Sequence, residues 1–214
     1  VLRRESGSNP ADLVDYREIT EALGGSYLDL TDGRNRINVL EPRMWSAEDK
    51  EPDPEAPAAF QSGSALSQHI AFLRDFFRSY KPFTEAEIDT IEIMLGRLYD
   101  SRGLRDDTDY SRLSPRDYPI LSDLYDQMDA EYQRVRTGSG GELYTPELLR
   151  SACLGLHSMC KGADAKFFNG HTNIHDTRLI TFGVKDLMEG GKNIKDAMLF
   201  NVLSYINHAL IAGG

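Results

Sequence analysis

The sequence predicts an α+β protein, predominantly α, in which a partial α/β core is interrupted by an insertion of about four helices. Three observations carry this. Near the N-terminus a short helical stretch stops on Gly24-Gly25 and feeds the strand-like run Tyr27-Leu28-Asp29-Leu30. From about residue 64 to 161 apolar side chains recur at helical spacing. The tail then returns to a β-rich run, Arg178 to Val184, followed by a helix that is apolar on most faces.

Taken in order, residues 1–44 read as the first α/β segment. Glycine tolerates the left-handed conformation at a helix end, so Gly24-Gly25 is a structural stop, and Tyr27, Leu28 and Leu30 suit a half-buried pleated surface. Asn38 reads as a residue that ties a loop through its amide. Residues 45–65, rich in Pro, Ala, Ser and acid, suit an extended linker.

The all-helical insertion spans 66–165. Leu66, Ile70, Leu73, Phe76, Phe77 and Tyr80 share one helix face, and with Phe72 they supply an aromatic core. Thr84 with Glu87 forms a capping box ahead of Ile88, Ile91, Leu95 and Leu98. After a charged, turn-rich stretch, Pro115 and Pro119 lead into a third helix carrying Leu121, Leu124, Tyr125, Met128, Tyr132 and Val135. Thr145-Pro146-Glu147 starts a fourth, with a hydroxyl at the N-cap and proline at the first helical position. Residues 166–214 return to the α/β core as a strand and a buried helix. A helix apolar nearly all round wants burial against a sheet, so this tail is expected to close on the N-terminal unit.

The formal net charge is −10, with 13 basic and 21 acidic side chains in residues 1–107 and 11 and 13 in the remainder. Such a chain does not attract polyanions over its surface, and direct nucleic-acid binding is not expected. Cys153 and Cys160 lie seven apart on one predicted helix, where both face the core as small hydrophobes and stand too far apart to bond. With no disulfide framework, a reducing, cytoplasmic setting is expected. No run of residues is long and apolar enough for a membrane-spanning helix. The chain starts at Val1 without a Met and stops at Ala212-Gly213-Gly214, which suggests an excised piece.

Chemistry-bearing candidates are few. His171, His175 and Asp176 are the right donor types for a metal, but no fourth ligand is near and the stretch reads as a turn into a strand, so no metal site is assigned. Gly138-Ser139-Gly140-Gly141 lacks the lysine of a phosphate loop and reads as a linker. There is no nucleophile elbow, and no catalytic residue is assigned. His157 and His208 sit in apolar helices as core or interface groups.

Several separated segments together resemble the motor domain of the conjugative-transfer ATPases of type IV secretion systems. They are Asp15-Tyr16 ahead of Leu23-Gly24-Gly25, the stretch from Asp32-Gly33 to Ile37-Asn38, Tyr118 to Tyr125, Phe167 to Asn173, and Leu179 to Phe182. The resemblance implies a partial RecA-like core carrying a helical insertion, placed between a phosphate-binding loop and an acidic, metal-holding strand. Neither Gly-x-x-x-x-Gly-Lys-Ser/Thr nor an aliphatic run ending in Asp-Glu occurs in these 214 residues. The parent protein is thus expected to use ATP and Mg2+, while this piece binds neither tightly and is inactive alone. Asp12, Asp15 and Tyr16 become nucleotide-proximal candidates, although Asn9-Pro10 precedes Asp15-Tyr16 at a looser spacing than the family's Asp-Pro-x-x-Glu-Tyr, and an acid at a helix start is also explained by the helix dipole. Other secretion-system components and self-association of the parent are the implied partners, at the inner face of the cell membrane. The alternative is a non-enzymatic helical interaction module of a secretion complex.

Overall fold

The computed structural model describes residues 16–43, 64–138, 143–174, 179–183 and 191–212. Within them the protein is mainly helical with one two-stranded sheet, the predicted class. Helix α1 (Tyr16–Ala22) ends as Gly24 takes a φ of +74°, a conformation that side chains with a Cβ resist. Gly25 then passes so close to Leu179 that a Cβ would stand 2.7 Å from its carbonyl oxygen. That approach lets the Ser26 N–H donate to Leu179 O at 2.8 Å and starts strand β1 (Ser26–Asp29).

Strand β1 pairs in parallel with β2 (Ile180–Gly183), Ser26 opposite Ile180 and Asp29 opposite Gly183. A parallel pair cannot be joined by a tight turn; here the connection carries the whole helical block. One face of the pair is covered by α1, through a 2.8 Å hydroxyl contact between Thr20 and Thr181 and the Arg17 guanidinium 4.7 Å over the Tyr27 ring.

The block comprises α2 (Ala65–Tyr80), α3 (Glu85–Ser101), α4 (Leu121–Arg136), α5 (Pro146–Cys160) and the single turn α6 (Ala165–Phe168). Helix α2 begins at Ser64, whose hydroxyl accepts from Ser67 N–H; the rest of the expected linker, residues 45–63, lies outside the described residues. The Thr84 and Glu87 box is present at α3 and Thr145 caps α5, both as predicted. Helix α4 has no hydroxyl cap: Asp123 reaches back to accept from the Ile120 N–H at 3.0 Å. The aromatic set of α2 is buried as expected, with Phe168 edge-on to Phe76 and Tyr80. Cys153 and Cys160 are free and buried. Burial raises both thiols, to about 11 and about 12, so they stay protonated and act as small apolar groups.

The last helix, α7 (Lys192–Ala212), departs from expectation. It packs chiefly on α2, not on the sheet, burying Ala197, Met198 and Val202 while leaving Leu203 52% exposed. The physical reason is that an all-round apolar helix accepts any apolar partner, and the exposed flank of α2 offers Phe72 to stack on Phe200 at 5.2 Å. Of the two places expected for His157, core or interface, the core is ruled out: it is exposed on α5 with its ring edge-on to Tyr125.

Candidate functional site

The segments that carry the family resemblance lie far apart in sequence, and the fold brings three of them, 32–38, 118–125 and 167–173, to one junction. Its centre is Asn38, fully buried, whose Nδ2 donates to Pro119 O at 2.9 Å while its Oδ1 accepts from the Leu40 N–H at 3.0 Å. The Asn38 N–H donates to Thr172 Oγ1 at 3.0 Å, and Arg36 N–H donates to Asn173 Oδ1 at 2.7 Å. Asn173 returns bonds to Arg34 O and Arg36 O, and Asn169 Oδ1 accepts from the Ser122 N–H that opens α4. The expected role of Asn38, tying a loop by its amide, is thus met in full.

Each bond has a local cause. Residues 36–43 form neither helix nor strand, so their backbone groups need partners from outside, and short amide and hydroxyl side chains supply them. Ile37, Val39 and Leu40 are buried beside Asn38, which places that end of the junction inside the core, while the Asn173 bonds lie at its exposed rim. There an unmet donor or acceptor is costly.

The second part of the junction was not legible in the sequence. Arg43 is 3% exposed and donates from Nη1 to Asn201 O at 3.0 Å, and from Nη2 to Asn201 Oδ1 at 2.7 Å and Asn38 O at 3.2 Å. Asn201 in turn donates to Ile37 O at 2.9 Å, so α7 is tied to the 36–43 segment from both sides. The guanidinium lies over the rings of Phe72 and Tyr205. Burial lowers its pKa to about 10, which still leaves it charged at neutral pH. His69 of α2 stands in the same layer, fully buried, stacked on Phe72 at 5.6 Å and edge-on to Tyr99. Neither ring nitrogen has a partner in hydrogen-bonding geometry; the Val39 backbone favours the proton but lies outside that geometry. Nothing in the spacing of Arg43, Asn201 or His69 marks them.

The residues singled out for chemistry do not converge. Tyr16 opens α1 and is 48% exposed, while Asp12 and Asp15 lie outside the described residues. His171 is half-buried next to the junction; His175 and Asp176 lie outside the described residues, and among those described no three His, Cys, Asp or Glu side chains gather to hold a metal. Gly138 ends the α4 turn at a φ of +85°, with residues 139–142 also outside. No helix among the described residues is long and apolar enough to cross a membrane. The arrangement therefore binds backbone to backbone across the chain and holds no reacting group that the described residues reveal.

No family model matches the sequence, and no curated protein matches it either. Among solved structures, VirB4 of Thermoanaerobacter pseudethanolicus matches with a TM-score of 0.74 and 28% identity over 91% of this chain. The match covers 46% of that structure's chain, so this chain spans about half its length. In fold and in sequence the chain is VirB4-like, in agreement with its resemblance to the ATPases of type IV secretion systems.

Proposed function

We propose that this chain is part of an ATPase motor that energises conjugative DNA transfer through a type IV secretion channel, contributing part of a RecA-like core and its helical insertion. The observation that carries the reading is the match to VirB4, extending over nine-tenths of the chain at 28% identity. The parallel β1 and β2 pair supports it, since a helical block between two adjacent parallel strands is how an insertion into an α/β core is built.

On this reading ATP and Mg2+ are held by the parent protein through a phosphate loop and an acidic strand that these 214 residues do not contain. Asp12, Asp15 and Tyr16 lie near the nucleotide edge of the core. The partners are other secretion components and further copies of the parent, at the inner face of the cell membrane, and the acidic surface makes no direct contact with DNA. The rival reading, a helical interaction module without enzymatic activity, draws on the partly exposed apolar flank of α7 at Phe200 and Leu203.

The test compares ATP hydrolysis by the 214-residue chain with that of a longer chain extended through a phosphate loop and an acidic strand. Turnover is expected from the longer chain alone. Hydrolysis by the 214 residues that survives controls for contamination would refute the proposed division of labour, and an inert longer chain would favour the module. In the longer chain, Asp15→Asn should raise the KM for ATP several-fold; an unchanged KM removes Asp15 from the nucleotide edge.

A further inference from the structure

The junction contains a titratable group that the proposed function does not use. His69 is fully buried, and neither of its ring nitrogens is hydrogen-bonded. It flanks Phe72 on one side, with its centroid 5.6 Å from that ring, and the Arg43 guanidinium flanks the same ring at 5.7 Å. The imidazole and a permanent cation thus share one aromatic layer, at the place where α2, α7 and the 36–43 segment meet.

We propose that His69 and Arg43 form a proton-sensitive latch that holds α7 on α2 at neutral pH and releases it on acidification. Neutral His69 fits the layer as an aromatic ring. A protonated His69 places a second positive charge beside Arg43, both of them buried from bulk solvent, with no ion pair at either residue among those described. The charged and titratable groups around the two are Glu41 from the same segment as Arg43, Tyr99 from α3, and Tyr205 and His208 from α7. Tyr99 donates to Leu40 O and is pushed well above its ordinary range, so it contributes no counter-charge. His208 adds positive charge when protonated, in the same direction as Arg43.

Opening takes place at α7 because Arg43 bonds to that helix and its Phe200 stacks on Phe72, the ring that His69 and Arg43 share. Its described packing is mainly on α2, reinforced by the Arg43 and Asn201 bonds, and its Ala197, Met198 and Val202 join the core that α2 to α5 share. Lifting α7 opens the layer that holds His69 and Arg43 to water, while α2 to α5 keep their contacts with one another.

The sign follows from linkage. Burial and Arg43 hold the folded-state pKa of His69 below its ordinary value of 6.5, so the open form binds the proton better. The closed form keeps its full advantage above that value and loses it as pH falls, by about tenfold per pH unit for one proton. The carboxylates with lowered pKa values titrate below this window.

The experiment measures amide hydrogen exchange of α7 in the 214-residue chain between pH 7.5 and 5.0, corrected for the intrinsic pH dependence of exchange. The opening constant of α7 is expected to rise about tenfold per unit below pH 6.5, with α4 and α5 unchanged. In His69→Leu the slope should vanish, and in His208→Gln it should persist. A slope that survives His69→Leu, or that disappears in His208→Gln, overturns the proposal. If the leucine variant fails to fold, the His69 ring resonance of the unmodified chain decides: it should titrate together with α7 opening, and titration at an ordinary pKa with α7 still protected overturns the latch.

Discussion

Asn38 shows how one side chain can carry a fold-level constraint. Its amide satisfies a proline carbonyl 81 residues away and a backbone N–H two residues on, both in the core. Asn38→Ala leaves two buried groups without partners and is expected to destabilise by about 2–4 kcal/mol, read as a lower denaturant midpoint at unchanged m-value. Glu131 makes a different prediction. It accepts from Arg134 Nε at 2.7 Å and from Arg97 Nη1 at 3.1 Å, and also from the Tyr144 hydroxyl. The Arg134 bond is the main reason its pKa falls to about 2. A carboxylate depressed in the folded state contributes stability that is complete above its unfolded pKa and lost as pH falls through the folded one. Stability should thus decline between about pH 4.5 and 2, and Glu131→Gln should flatten that part of the profile. Asn38 could be read in advance because an asparagine in an irregular stretch has few other uses. Arg43 could not, since arginine in sequence signals surface, and its burial depends on Asn201, 158 residues further on.

Elements whose start signals are local were legible. Thr84 with Glu87, and Thr145 with Pro146, mark helices by chemistry that acts within three or four residues, and α3 and α5 start where those signals fall. Thr84→Ala should cost about 1 kcal/mol in thermal or chemical unfolding, with the loss of protection confined to the first turn of α3. The strand pair is more exacting. Adding a Cβ at Gly25 drives it against the Leu179 carbonyl, so Gly25→Ala should separate the ends of β1 and β2, raising amide exchange at 26–29 and 180–183 while α3 to α5 stay protected. Equal exchange in variant and parent would show that the strands can shift to make room. The neighbour of α7 was not legible, because an all-round apolar pattern states that a helix is buried and says nothing about what buries it.

At the scale of the molecule, contacts divide into a helical block formed over short sequence separations and closures formed over very long ones. The strands pair across about 150 residues, and Arg43 joins Asn201 across 158. Long closures are entropically demanding and form late, so native-state exchange should rank α3, α4 and α5 as most protected, with β1, β2 and α7 opening at lower free energy. Uniform protection across all of them would mean a single cooperative unit. The family resemblance was legible for the same reason that the junction exists: residues 32–38, 118–125 and 167–173 carry the resemblance and are also the residues that bond to one another. What they encode is the join, and the chemistry expected of the parent depends on motifs these residues do not include.

The seat of α7 bears on how such proteins can be rebuilt. A helical block whose ends meet at neighbouring strands invites exchange as a cassette, with the strands kept and the block swapped. Here the footprint of α7 lies on α2, inside the block, and its polar tie runs to Arg43, outside it. A chimaera that replaces the block alone strips α7 of its support and strands a buried guanidinium. Any exchange that keeps the molecule folded must move residues 64–80 and 192–212 together, with position 43 matched to both.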